Sequence, residues 1–164
     1  MNRASLVAVA VALVLSVSAC GPGVDLSKAL QVTDVLTGYY DAGVKNGKNY
    51  LLPSISFRLH SLHTGSIGPV QVTVSFWREG EDGEWDSVLV RGIGSEGLAA
   101  GATTSSILAR STVGYTLEGA RADFFSHHLF QDVTAKLFAS QSGNITAIGQ
   151  FKLDRRIIPQ VTKP

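Results

Sequence analysis

Five carboxylates crowd one short stretch of this 164-residue chain, Glu79-Gly80-Glu81-Asp82-Gly83-Glu84-Trp85-Asp86. Calcium takes roughly six to eight oxygen ligands, and carboxylates on a glycine-containing loop could supply several of them. The spacing does not follow the EF-hand loop, however, and a charged, glycine-punctuated run is also what a solvated hairpin tip looks like. The hairpin reading is preferred, and no metal site is expected. Histidines come as His60 and His63, and as His127 and His128. On a strand, His60 and His63 point to opposite faces, and His127 and His128 diverge unless a crossover bends them together. A zinc site would need one from each pair plus a carboxylate such as Asp132, and nothing local calls for it. No serine sits in a G-x-S-x-G elbow, and no glycine loop has phosphate-binding spacing, so an enzyme is not expected. The aromatic residues are better candidates for binding. Trp77 falls on the polar side of its segment, and Trp85 follows across a short turn. With Arg58, and with Tyr39 and Tyr40 as neighbours, they would offer an outward surface suited to a sugar face or a protein partner. The competing reading packs Trp77 beneath a loop.

The remaining chemistry belongs to the single cysteine, Cys20. Met1-Asn2-Arg3 carries a positive charge, Ala4 to Ala19 is uncharged and rich in Val, Leu and Ala, and Val17-Ser18-Ala19 precedes the cysteine. A basic start, an apolar run and small residues before a cleavage point describe a secretory signal peptide. The apolar run is short for a membrane span, which needs about 20 residues. Ordinary cleavage after Ala19 would leave a thiol with no second cysteine to pair in an oxidising compartment. The string Val17-Ser18-Ala19-Cys20 resembles the lipobox of bacterial lipoproteins. That resemblance implies cleavage before Cys20 and a thioether-linked diacylglycerol, with fatty acyl chains such as palmitate held in a membrane leaflet. It also implies a location in the cell envelope facing the periplasm or the exterior, with Gly21 favouring the outer membrane because inner-membrane retention usually needs Asp there.

Removing residues 1–19 takes only Arg3 from the 14 basic residues, leaving 13 against 13 acidic ones. The charges are dispersed, which argues against nucleic acid and against a polybasic membrane patch. About 145 residues remain, enough for one core without disulfides.

These candidates must be positioned by strands, because the hydrophobic period is two. Ile55, Phe57 and Leu59 alternate with Ser54, Ser56, Arg58 and His60; Val70, Val72, Val74 and Phe76 alternate with Gln71, Thr73, Ser75 and Trp77. Val133, Ala135, Leu137 and Ala139 repeat the pattern, followed by Ile145, Ala147, Phe151 and Leu153. Strict alternation describes strands with one buried and one wetted face. Turns are expected at Gly65–Pro69, Gly80–Gly83 and Ser142-Gly143-Asn144. Further strands are expected within Leu30–Tyr40, Trp85–Arg91 and Thr103–Ser111, and a short helical crossover within Leu117–Phe130. About seven mostly antiparallel strands predict an all-β, immunoglobulin-like sandwich over residues 31–158. Residues 20–30 read as a tether opened by Pro22 and two glycines, and 159–164 as a tail. Asn144-Ile145-Thr146 fits a glycosylation acceptor pattern, which in a bacterial lipoprotein is read as chance.

The middle of the chain, with the Gly97-Leu98-Ala99-Ala100-Gly101 loop before a Thr/Ser-rich strand, resembles immunoglobulin-like modules of bacterial surface lipoproteins of the FxLYD, LEA14 and CARDB kinds. Tyr39-Tyr40-Asp41, Leu52-Pro53-Ser54-Ile55-Ser56-Phe57-Arg58-Leu59 and Phe151-Lys152-Leu153-Asp154-Arg155-Arg156 resemble an uncharacterised family of bacterial envelope lipoproteins. The resemblance implies fold and location, and brings no catalytic or ligand residue. The cysteine pair of true immunoglobulin domains is absent. The expected role is a non-enzymatic interaction or accessory module that binds an envelope protein or another envelope component through its sheet face or loops; the alternative is a carbohydrate- or peptidoglycan-binding module using Trp77 and Trp85.

Overall fold

Two turns set the long hairpins. Asn46-Gly47 (φ 51° and 76°) and Ser142-Gly143 (φ 50° and 84°) each place two successive residues at positive φ. That is the demand of a type I′ turn, whose twist matches the flanking strands. A computed structural model describes residues 23–158, and Cys20 and the 159–164 tail lie outside them. Asn46-Gly47 joins β1 (Leu30–Lys45) to β2 (Lys48–Ser61). Both are longer than the alternation suggested, since Asp41 pairs with Leu51 and Val44 with Asn49. Next come β3 (Val70–Arg78), β4 (Glu84–Ile93), β5 (Ile107–Arg110) and β6 (Tyr115–Leu117). A 3-10 helix (Arg121–Ser126) supplies the expected crossover. It leads to β7 (Val133–Gln141), β8 (Asn144–Lys152) and the two-residue β9 (Ile157–Ile158).

The strands form two sheets. One has the order β5-β2-β1-β9, with β6 also pairing β2; the other has the order β4-β3-β7-β8. In immunoglobulin lettering this is E-B-A facing C′-C-F-G, with the fourth strand on the C-F-G sheet. All pairings are antiparallel except β1 with β9. The period-two residues meet between the sheets. Ile55, Phe57 and Leu59 oppose Val70, Val72, Val74, Phe76, Val133, Ala135 and Leu137, none more than 1 % exposed. Burying each such large side chain is worth ~1.5–3 kcal/mol. The immunoglobulin-like sandwich is therefore the fold, reached without a cysteine pair.

One boundary differs from expectation. The stretch to Leu30, read as a tether, is part of the domain from Val24 onward. Asp25 caps a one-turn helix, α1 (Leu26–Ala29), by accepting from the Ser27 amide at 3.1 Å. Leu26, Ala29 and Leu30 are buried in the core, and Val24 packs against it. The burial of Leu26, Ala29 and Leu30 is what makes this stretch part of the domain.

Candidate functional site

β3 turns Phe76 inward and Trp77 outward, as alternation requires. The Trp77 ring lies half-buried on the outer face of the β4-β3-β7-β8 sheet. Its Nε1 donates to Ser75 Oγ at 2.6 Å, and that hydroxyl donates to Glu84 across the hairpin. The Lys136 ammonium, from β7, sits 3.8 Å from the ring centroid. Ser75 pairs with Lys136 and Trp77 with Thr134 across β3 and β7, and Gln150 of β8 pairs with Lys136. Two depressions meet at Lys136 and Gln150. One, of about 250 Å3, lies against Trp77, Thr134 and Lys152; the other, of about 410 Å3, lies against Phe138, Ala147 and Ile148. A wider hollow of about 690 Å3 occupies the lower end of the face, between Gln71, Leu89, Arg91 and Ser140. Leu89 stands 60 % exposed in that row.

Charge at the upper edge of this face is largely paired. Asp132 accepts from Arg155 Nε at 2.7 Å and meets Lys152 Nζ at 2.8 Å. The Arg155 hydrogen bond, opposed by burial and reinforced by Lys152, holds the Asp132 carboxyl down at about 2. Lys152 also reaches Glu79 at 3.3 Å, and Arg78 binds Glu81 at 2.7 Å. Lys136, by contrast, has no carboxylate within ion-pair distance among the described residues. Its partner is the indole.

Trp85 does not join Trp77. The register slips between Phe76 and Trp77, so that Phe76 faces Asp86 while Trp77 faces Glu84. The extra residue on β4 sends Trp85 toward the interior side, where it packs against the core. There its ring centroid is 5.0 Å from that of Tyr115, with the Arg78 guanidinium 4.7 Å away. Tyr115 in turn meets Phe130 at 5.0 Å, and Tyr39 meets Phe125 and Phe130 at 5.4 and 5.5 Å. Tyr39 is wholly buried, and burial pushes its phenol far above the ordinary range; the less buried Tyr115 is pushed up to about 12.

Arg58 belongs to the other sheet, where it faces Asp34 at 3.6 Å. Tyr40 lies on that sheet under the Arg110 guanidinium, 3.2 Å from the ring centroid. The expected surface of Trp77, Trp85 and Arg58 is thus three separate places: Trp77 and Arg58 both face outward but on opposite sheets, and Trp85 turns toward the core.

The acidic run forms the β3–β4 hairpin tip and its approaches, and Glu79, Glu81, Glu84 and Asp86 each have their own protein partner. Asp86 is the one that sequence reasoning missed as a structural residue. Its Oδ2 accepts from Ser111 Oγ (2.7 Å), Thr112 N (2.7 Å) and Thr112 Oγ1 (3.0 Å), tying β4 to the segment after β5. Burial opposes its charge, but those donors outweigh burial and hold its carboxyl below the usual range. Among the described residues, no three His, Cys, Asp or Glu side chains gather into a metal-binding group. His60 bonds Thr103 Oγ1 at 2.9 Å, while His127 and His128 stack at 4.5 Å because the crossover bends them together.

No family model matches the chain, and no curated protein matches it. Solved structures do. A structural-genomics target, SoR45, has a TM-score of 0.44 and 15 % identity, over 83 % of this chain and 92 % of its own. A Bordetella pertussis protein proposed to be ApaA has a TM-score of 0.44 and 14 % identity, over 77 % of this chain and 93 % of its own. At that distance neither bears on what this chain does.

Proposed function

We propose that this chain is a bacterial envelope lipoprotein, held to a membrane through acylated Cys20, that works without catalysis as a binding module. Its partner is an envelope protein, which it grips with the outer face of the β4-β3-β7-β8 sheet. The observation that carries the reading is Trp77. An indole kept half-exposed on a sheet face, beside hollows lined by Phe138, Gln150 and Thr134, is the anchor type enriched at protein interfaces. Leu89 extends the apolar surface, and dispersed charge leaves nucleic acid no footprint. Gly21 favours the outer membrane, and the likeness to uncharacterised envelope lipoproteins agrees with that address.

A glycan is the second reading, favoured by the single indole with hydrogen-bonding side chains beside it. It is narrower than before, because Trp85 supplies no second platform. Photocrosslinking separates the two. A photoreactive residue at Leu89, with Leu108 on the opposite sheet as control, should capture a discrete protein in native envelopes, and Trp77→Ala should abolish that band. Equal capture from Leu108, or capture indifferent to Trp77→Ala, removes the protein-partner reading. Retention on cell-wall glycans that is lost in Trp77→Ala establishes the glycan reading instead.

A further inference from the structure

The proposal concerns the end of the sandwich where the described chain begins, and it rests on the lipid-anchor reading above. Only Gly21 and Pro22 separate Cys20 from Gly23. Three consecutive residues span at most about 11 Å, whatever conformation they take. Packed structure begins immediately afterwards, since Val24 lies against the core and Leu26 is buried. No slack is left between a lipidated Cys20 and the domain. The headgroup zone of one leaflet is itself about 6 Å deep.

Gly23 fixes which end is held down. A side chain built there would begin 3.8 Å from Asn144 Nδ2, at the β7–β8 turn. The Leu62 amide donates to Ala29 O at 2.8 Å, which brings the end of β2 to the same place. Gly23, Lys28, Leu62 and His63 line a groove of about 400 Å3. Two large apolar side chains stand in the open at this end: Leu62, 56 % exposed, lines the groove, and Ile145, 73 % exposed, follows Asn144 at the start of β8. The Lys28 side chain, on the same groove as Leu62, is 85 % exposed and forms an exposed ion pair with Asp25 at 3.5 Å, which solvent screens and a phosphate can compete for. Exposed apolar side chains and a lysine at the end that carries the anchor match the boundary between phosphates and acyl chains.

We infer that this end docks flush on the bilayer, with Leu62 and Ile145 entering the headgroup layer and Lys28 facing phosphate, and that the sandwich stands upright from it. The β3–β4 tip at Asp82 then lies roughly 30 Å away along nine residues of β3.

The test uses lipidated full-length protein in phosphatidylethanolamine–phosphatidylglycerol vesicles. Leu62→Cys, Ile145→Cys and Asp82→Cys are each labelled with an environment-sensitive fluorophore; all three positions are exposed, so the fold is undisturbed. On vesicles, labels at 62 and 145 should shift to the blue and lose about half their emission to headgroup spin-labelled lipid, with no change at 82. Co-flotation with the vesicles is scored on the same samples. Protein that floats with solvent-like emission at all three positions overturns the docking and leaves the anchor standing. Protein that fails to float overturns the anchor reading, and the docking with it. A blue shift at 62 or 145 without vesicles, in the Cys20→Ser chain at equal concentration, means that a second copy covers this end and also overturns the proposal.

Discussion

Asp86 offers the sharpest check on how the sandwich is closed. It stands on β4, and its three donors lie beyond β5, so one carboxylate oxygen bridges the open edge between the sheets. Asp86→Ala removes the acceptor, leaving the exposed Thr112 amide and hydroxyl to water and Ser111 Oγ to the Val113 carbonyl at 2.8 Å. Hydrogen bonds to a charged group contribute about 1.5–3 kcal/mol each, but these share one oxygen and are partly solvated, so they do not add. A loss of about 2–3 kcal/mol at pH 7 is expected, or roughly 6–10 °C in Tm for a domain of this size. Asp86→Asn keeps a carbonyl acceptor and should lose about half as much. The pH dependence gives a second handle. The folded-state pKa lies below the unfolded value of about 3.9, so the contribution is fully present above that value. It disappears as pH falls through the lower, folded-state value. Urea unfolding followed by tryptophan emission should therefore show the gap between wild type and Asp86→Ala narrowing from pH 7 to pH 2.5. A gap below about 0.5 kcal/mol at pH 7, or one unchanged at pH 2.5, refutes the reasoning.

Two further outcomes follow from the same geometry. Asp132→Asn should cost about 1 kcal/mol at pH 7, because the Lys152 and Arg155 side chains are 60 % and 52 % exposed and solvent screens the pairs. With the carboxyl held at about 2, that advantage is present above roughly pH 4 and is lost toward pH 2; melts at the two ends of this range, with Arg155→Gln to close a double-mutant cycle, check it. Gly38→Ala should destabilise by about 2–4 kcal/mol in urea, since φ is 154° and the new Cβ would lie 2.9 Å from the Arg156 carbonyl oxygen, which already accepts from Tyr39 N; a loss below about 1 kcal/mol would show that the chain near β9 yields easily.

Much of the sandwich was legible because its inner faces are made of unbroken period-two runs. Nothing between Ile55 and Leu59, or between Val70 and Phe76, interrupts the alternation, so those residues had one buried side available to them. The first hairpin was read too short, although Asn46-Gly47 is the strongest two-residue turn signal in the chain. The stretch on either side of it, Asp41–Leu52, mixes polar and apolar residues with little alternation, because both its faces are partly wet. The candidate surface was less legible. Trp77 followed from alternation. Trp85 did not, because one extra residue opposite Trp77 changes the side to which the following positions of β4 point, as far as a second shift at Gly92. Asp86 looked like one more carboxylate in an acidic turn; its donors are 25 and 26 residues away.

By itself the sequence determined the period of the strands, most of the turn positions, a nearly balanced charge of +1 and an N-terminal pattern that ends in a lone cysteine, since each is a local property of residue type and spacing. Only the tertiary structure decided which strands share a sheet, that Trp77 and Trp85 part company, that Arg58 lies on the far face, and that residues 24–30 of the supposed tether form a capped turn whose Leu26, Ala29 and Leu30 side chains enter the core. Those outcomes depend on register and on contacts between segments distant in the chain, where a one-residue slip reverses a face and a buried leucine ties its segment to the core.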